Sequence, residues 1–135
     1  MKIYFDGGCR PNPGTMETAV VDRGRLYLRP NAGLGTSDRA EWLALLDALR
    51  IAGDLGERDI LLLGDALGVI DQAVNGARCA SPDLRECRDR FEQGSRLFER
   101  LRLRHVKRSH NLAGIALGQL RQGRRACGPE QRERP

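Results

Sequence analysis

Alternating and apolar runs near the start of the chain predict three consecutive strands. The first covers residues 2–8, and further runs lie at residues 18–21 and 25–29. The third run alternates polar and apolar residues, which is typical of a strand with one face in water. Because the connections between these runs are short, we expect an antiparallel meander.

Apolar residues at helical spacing follow a group of capping candidates. Thr36, Ser37 and Asp38 are good N-cap residues, and Glu41 lies three residues after Asp38, as in a capping box. The pattern predicts a helix that ends at about residue 52. Its predicted core stripe consists of Trp42, Leu45, Leu46 and Leu49.

The second half of the chain predicts two further strands and three helices. Residues 60–63 form a continuous apolar run, typical of a strand buried on both faces, and residues 101–106 alternate strictly. Helices are predicted at residues 67–74, 82–97 and 112–122. A strand, a helix and a buried strand in succession form a crossover, so the fourth strand should run parallel to a strand of the meander.

Together these elements predict one α/β domain over residues 1–122. Its mixed five-stranded sheet should have the strand order of about 3-2-1-4-5. A chain of 135 residues is long enough to bury a core without disulfides. Residues 123–135 show no apolar period, so we expect them to form a flexible tail.

Three carboxylates fall at junctions between the predicted elements. Asp6 ends the first strand, Glu41 lies in the first turns of the helix, and Asp65 closes the fourth strand. Asp6 and Asp65 should leave the carboxyl ends of neighbouring parallel strands, where α/β folds bind ligands. Three acids held together repel one another unless a cation lies between them, and their hard oxygen ligands suit Mg²⁺ or Mn²⁺.

Each of these acids also has a purely structural interpretation. Glu41 could be no more than the last member of a capping box. Asp6 and Asp65 could be ordinary turn or helix-cap residues. The combination of all three at element ends favours a divalent-metal site over three independent structural roles.

Charge and cysteine content narrow the class of protein. The net charge is +5 and the pI about 9.5, mostly from arginine, which forms bidentate contacts with phosphate. This balance favours a nucleic-acid substrate, although a solvated basic surface would have the same composition. The four cysteines lack the C-x-x-C spacing of a zinc site. Without a signal peptide or an apolar span, we expect a cytoplasmic protein with reduced thiols.

The motifs around the three acids resemble those of ribonuclease H type 1, the bacterial-type ribonuclease HI family. The matching segments are residues 6–14, which read D-G-G-C-R-P-N-P-G, residues 36–41 and residues 65–72. The resemblance covers about residues 1–121. It implies a ribonuclease H-like fold with helices on both faces of the sheet. It also implies an endonuclease that cuts the RNA strand of RNA–DNA hybrids with two Mg²⁺ or Mn²⁺ ions, giving 5′-phosphate and 3′-hydroxyl ends.

By this resemblance the three acids are metal ligands, and Asp6 bridges both ions. The family usually has a fourth acid at the start of the last helix, but no acid occurs between residues 107 and 122. Alignment on the helix entrance places Asn111 there, whereas alignment on a dipeptide places Gly114. We predict Asn111 as a neutral fourth ligand, so that Asn111→Asp keeps or raises activity. The alternative is that Asn111 simply caps the final helix.

Further site residues also follow from the resemblance. His110 either assists product release, as a loop histidine does in many family members, or is an exposed residue at the helix start. The chain lacks the basic, tryptophan-bearing protrusion of larger members, so scattered arginines should bind the substrate. The residues expected to line the substrate groove are Gly7, Cys9, Asn12, Ser37, Asp38 and Arg39.

Loss of the fourth acid leaves a second function open. The chain could be a catalytically weakened module of the same fold that binds RNA–DNA hybrids or double-stranded RNA. Metal-dependent cleavage would distinguish the two. In either case we expect a monomer without an obligate protein partner and without membrane association.

Overall fold

The computed structural model describes residues 1–79 and 81–127, with side chains described up to residue 123. Over this part of the chain the strands are β1 (Lys2–Cys9), β2 (Gly14–Asp22), β3 (Arg25–Arg29), β4 (Leu34–Gly35), β5 (Asp59–Gly64) and β6 (Arg100–His105). The helices are α1 (Ser37–Asp54), α2 (Leu67–Val74), α3 (Pro82–Ser95) and α4 (Leu112–Cys127), with a 3-10 turn at Arg108–His110.

The sheet has the strand order β3-β2-β1-β5-β6. β1 pairs antiparallel with β2 and parallel with β5, and β5 pairs parallel with β6. The mixed sheet and crossover predicted from the sequence are therefore confirmed, with β5 and β6 as the predicted fourth and fifth strands. β4 was not predicted, because a two-residue strand that pairs with the start of β2 is too short to have a period.

Helices cover both faces of this sheet, as expected. On one face α1, α2 and α3 enclose the main core, whereas α4 packs on the other face against β1 and β2. Trp42 is fully buried in the main core, and its Nε1–H donates a hydrogen bond of 2.8 Å to Oε1 of Gln72 in α2. The ring of Trp42 also meets Phe91 of α3 edge-on, with 6.3 Å between ring centroids.

The start of α1 lies against the backbone of β1. Thr36 is the N-cap residue, and its Oγ1 accepts a hydrogen bond of 3.3 Å from the backbone N–H of Arg39. Gly7 allows the close approach, because a Cβ at this position would collide with the carbonyl oxygen of Ala40. The third helical residue is therefore Arg39, and Glu41 is not part of a capping box.

α4 continues beyond the end predicted from the sequence. The sequence predicts that this helix ends at residue 122, but the helix extends to Cys127. Residues 128–135 of the predicted tail lie outside the described residues. Among the helices that the structure describes, none is long and apolar enough to cross a membrane.

Candidate metal centre

Three carboxylates meet at the carboxyl ends of β1 and β5. Asp6 follows the part of β1 that pairs with β5, and Asp65 comes directly after β5. Glu41 reaches the same point from α1. One ligand oxygen from each residue lies within 4.8 Å of the other two. The structure thus brings together the three acids that the sequence singles out, at the edge of the sheet where α/β folds bind ligands.

The surroundings of these acids oppose their ionisation in the absence of a cation. Burial and then the charge of Asp65 raise the pKa of Asp6 to about 6. Burial and then the charge of Asp6 raise the pKa of Glu41 to about 8. Both shifts follow from moving negative charge out of water and close to further negative charge. A divalent cation between the carboxylates would offset their repulsion and favour their ionised forms.

Asp65 supplies the least compensated oxygen of the cluster. Its side chain is 5% exposed, and its buried Oδ2 has no hydrogen-bond partner among the described residues. Among the described side chains, Asp65 forms an ion pair with the exposed guanidinium of Arg108, whose Nε lies 3.7 Å from that oxygen, beyond hydrogen-bond range. A buried carboxylate oxygen left in this state is what a hard cation requires as a ligand.

Asn111 connects the start of α4 to β1. Its side chain is fully buried, and Nδ2 donates a hydrogen bond of 3.0 Å to the carbonyl oxygen of Phe5. Its Oδ1 accepts a hydrogen bond of 3.1 Å from the backbone N–H of Ala113. These contacts are those of a helix cap, and they do not support Asn111 as a fourth metal ligand. Because Nδ2 is needed as a donor, they also oppose the prediction that Asn111→Asp keeps or raises activity.

The first turn of α4 nevertheless passes close to the acids. A Cβ added at Gly114 would lie 3.4 Å from Oδ2 of Asp6, in ordinary van der Waals contact. In this chain a glycine therefore occupies the position on α4 beside Asp6. Gly114 is the second of the two alignments for the missing acid, and the geometry agrees with that alternative better than with Asn111.

Arg121 is a residue near the site that the sequence did not indicate. Its guanidinium lies on the backbone of Gly8, where any Cβ would collide with it, and its Nε donates to Oε2 of Glu17 at 3.2 Å. Its positive charge lowers the pKa of Asp6. No local pattern could reveal this contact, because Arg121 and Glu17 are 104 positions apart.

Two of the predicted groove residues join the β1–β2 turn to the start of α1. Nδ2 of Asn12 donates to Oγ of Ser37 at 2.9 Å, and Oδ1 of Asn12 accepts from the Ser37 backbone N–H at 3.2 Å. Cys9 is buried, and its Sγ contacts the carbonyl oxygens of Pro11 and Gly35. The thiol of Cys9 is thus part of the turn, whereas Asn12 and Ser37 form a polar pair at its surface.

The other predicted residues lie in β1, in the first turn of α1 and just before α4. The Gly7 backbone N–H donates a hydrogen bond of 3.1 Å to Oε1 of Glu41, so Gly7 belongs to the acid cluster itself. Asp38 is exposed in the first turn of α1, and Arg39 lies 3.9 Å from a carboxylate oxygen of Asp83. His110 is exposed and ends the 3-10 turn before α4.

The chain is similar to known proteins over most of its length. Residues 5–120 match a family model described as reverse transcriptase-like. Ribonuclease HI of Halobacterium salinarum is 34% identical over 119 residues, which cover 84% of this chain and 60% of that protein. The chain therefore spans less than two thirds of the length of this curated relative.

Solved structures of known proteins are also similar to this chain in fold. The structure of RNase H1 from Halobacterium salinarum superposes with a TM-score of 0.78 at 33% identity, covering 86% of this chain and 92% of that one. LC11-RNase H1 in complex with an RNA/DNA hybrid superposes with a TM-score of 0.76 at 23% identity, covering 86% of this chain and 91% of that one. The second likeness concerns the fold alone.

Proposed function

Because the chain belongs to the ribonuclease HI family, we propose that it is an endonuclease that hydrolyses the RNA strand of RNA–DNA hybrids and requires divalent metal ions. The observation that carries this proposal is the cluster of Asp6, Glu41 and Asp65. A scaffold gains nothing from buried carboxylates that repel one another, whereas a cation site requires them.

The donor set fits hard divalent cations, for which carboxylate oxygens are the preferred protein ligands. We propose that Asp6, Glu41 and Asp65 hold two Mg²⁺ or Mn²⁺ ions when substrate is present. Such ions supply Lewis-acid stabilisation of the scissile phosphate and lower the pKa of bound water. Hydrolysis of this kind gives 5′-phosphate and 3′-hydroxyl ends.

The neighbouring residues position these acids. The Gly7 N–H fixes one oxygen of Glu41, and the bond from Asn111 to the carbonyl of Phe5 holds α4 beside the residue that precedes Asp6. Arg108 offsets part of the negative charge next to Asp65. This support orients the carboxylates before a cation arrives, which lowers the cost of assembling the site.

The β1–β2 turn and the start of α1 form the proposed substrate groove. Asn12 and Ser37 present side-chain amide and hydroxyl groups that can contact the 2′-hydroxyls by which RNA is told from DNA. Asp38 can accept from a 2′-hydroxyl, and Arg39 can bind phosphate. Gly7 and Cys9 contribute the shape of the turn. His110, which is exposed just before α4, is our candidate for assisting product release.

A second function, hybrid or double-stranded RNA binding without turnover, is favoured by one observation. The position on α4 beside Asp6 is occupied by Gly114, which offers no ligand. If three acids cannot hold the ions needed for cleavage, the same groove would still bind a duplex. In both cases we propose that the chain acts as a monomer in the cytoplasm.

The deciding experiment is cleavage of a labelled RNA–DNA hybrid beside RNA–RNA and DNA–DNA duplexes, across titrations of Mg²⁺ and Mn²⁺. We expect hybrid-specific cleavage that EDTA abolishes and that Asp6→Asn removes. The matched control is Asp54→Asn, which neutralises an exposed acid paired with Arg50 at the other end of α1. Hybrid binding without cleavage at any metal concentration would reject the nuclease and leave the binding module.

A further inference from the structure

A row of arginines lies on the half of the sheet that α4 does not cover. Along β6, Leu101 and Leu103 belong to the main core on the side of α1, α2 and α3. Because successive side chains of a strand point to opposite faces, the alternate residues lie on the α4 side of the sheet. We call these residues, Arg100, Arg102 and Arg104, the arginine ladder.

Strand register extends this surface from β6 across β5 to β1. Arg102 stands beside Leu61, and Arg104 stands beside Leu63. Leu63 is buried and Leu61 is half-buried, so the two leucines form an apolar floor between the ladder and β1. α4 packs on β1 and β2, and the ladder lies at the opposite edge of the same face. These residues form a basic surface along β6, and the curvature of this surface follows that of the sheet.

Most of the positive charge of the ladder is uncompensated. Arg100 and Arg104 are exposed and have no ion pair within the described ranges. Arg102 is paired with Asp59 of β5, with 3.3 Å between its NH2 group and Oδ1. Lys2, exposed on the same face of β1, adds a further positive charge. A surface of this kind attracts a partner that carries regularly spaced negative charge.

The ladder also leads towards the acid cluster. β5 and β6 are parallel, so the ladder runs from Arg100 towards the end of the sheet where Asp65 and Arg108 lie. Alternate residues of a strand are about 6.6–6.8 Å apart, a spacing comparable with that of successive phosphates along a nucleic-acid strand. A strand that leaves the acid cluster along this face would therefore meet one guanidinium after another.

We propose that the arginine ladder binds the phosphate backbone of the hybrid outside the segment that is cleaved. This inference rests on the proposed function, because it takes the hybrid as the partner. Guanidinium groups bind phosphate in bidentate fashion, and contacts of this type add affinity without sequence preference. The ladder would thus give the chain a binding surface separate from the groove formed by the β1–β2 turn and α1.

The test is binding of a hybrid of about 20 base pairs, two helical turns, in EDTA over a series of salt concentrations. The variant is Arg100→Gln with Arg104→Gln, which leaves Arg102 in place because its Nε is buried. At low salt we expect the dissociation constant to rise about 3- to 10-fold. The slope of log affinity against log salt should become shallower by about 2, or roughly 0.9 for each phosphate that the variant no longer neutralises.

The matched control is Arg50→Gln with Arg90→Gln. This control also removes two positive charges, here from exposed positions on α1 and α3, on the opposite face of the sheet. If the ladder is a binding surface, the control should change both quantities much less than the ladder variant. An equal loss of affinity in both variants would mean that overall charge alone acts, and no loss in either would also overturn the proposal.

Two further measurements separate this inference from the proposed function. Both variants should keep the wild-type melting temperature, and with added metal the ladder variant should raise KM while leaving kcat unchanged. A lowered kcat at unchanged KM would contradict the ladder as a binding surface. Because affinity is measured in EDTA, the ladder is tested even if the chain proves unable to cleave.

Discussion

Two acids of the same helix, Glu41 and Asp47 of α1, have opposite environments. Asp47 accepts a hydrogen bond of 2.8 Å from Oγ1 of Thr18, and both its oxygens are bonded by Arg29 at 3.0 and 3.1 Å. Among the described residues, Glu41 accepts a hydrogen bond from the backbone N–H of Gly7 and lies beside the carboxylates of Asp6 and Asp65. The fold supplies hydrogen-bond and ion-pair partners to the acid that has a structural role. At the candidate metal centre it places acids side by side, and a cation is needed to balance their charge.

The largest effect should come from neutralising Asp65, which belongs to the same acid cluster as Glu41. We expect Asp65→Asn to lower the rate of hybrid cleavage at least about 100-fold, because a metal ligand is removed. The free energy of unfolding should stay the same or rise, because repulsion within the cluster falls. Cleavage assays and urea unfolding of the same sample measure both. Cleavage by this variant at the wild-type rate would show that Asp65 is not a metal ligand.

The pH dependence of stability should also separate the two environments. Glu41 with a pKa near 8 keeps a proton in the folded chain at pH values where the unfolded chain, with a pKa of 4.5, has lost it. The free energy of unfolding without metal should therefore fall as pH rises from about 4.5 to about 8. Melting curves in EDTA would measure this decline. Glu41→Gln should flatten it, and added Mg²⁺ should oppose it.

Asn111→Ala tests whether that residue supports the acid cluster from α4. We expect a loss of about 1–3 kcal/mol in the free energy of unfolding, because the buried carbonyl of Phe5 loses its donor and α4 loses its cap. Asn111→Asp should also destabilise, since a carboxylate cannot donate to a carbonyl. Chemical unfolding measures both variants. An Asn111→Asp variant that is as stable as the wild type and more active would support Asn111 as the fourth metal ligand.

The smallest expected effect comes from Asp47. Asp47→Asn should lower the free energy of unfolding by about 1–2 kcal/mol, because the ion pair with the partly exposed Arg29 is broken. Hybrid cleavage at saturating metal should stay within about two-fold of the wild-type rate, since Asp47 is outside the acid cluster. Equal losses of activity in the Asp47 and Asp65 variants would contradict the assignment of a structural role to Asp47 and of a metal-binding role to Asp65.

Local signals in the sequence were enough to predict most of the sheet and the meeting of the acids. The bounds predicted for α2, residues 67–74, agree with the structure, and Asp65 follows β5 as expected. Periodicity and chain order determine these features, because they depend on neighbours in sequence and on one crossover. The family resemblance led to the same three acids.

The contacts that depend on packing between distant segments could not be predicted. The partner of Asn111 is the carbonyl of Phe5, 106 positions away, and nothing near either residue indicates it. The capping box at Glu41 was an equally consistent local pattern, but Thr36 is the N-cap residue and fixes a different start for α1. Spacing along the chain gives candidates for a polar side chain, but the packed structure decides among them.

The bond between Trp42 and Gln72 gives the chain a built-in optical probe. Trp42 is the single tryptophan of the sequence, it follows Glu41 directly, and its indole N–H is held by α2. Emission excited in the indole band therefore originates from one place in the main core, on the residue next to Glu41. Any shift of α1 against α2 on addition of metal or duplex can be followed without a label, on the unmodified protein.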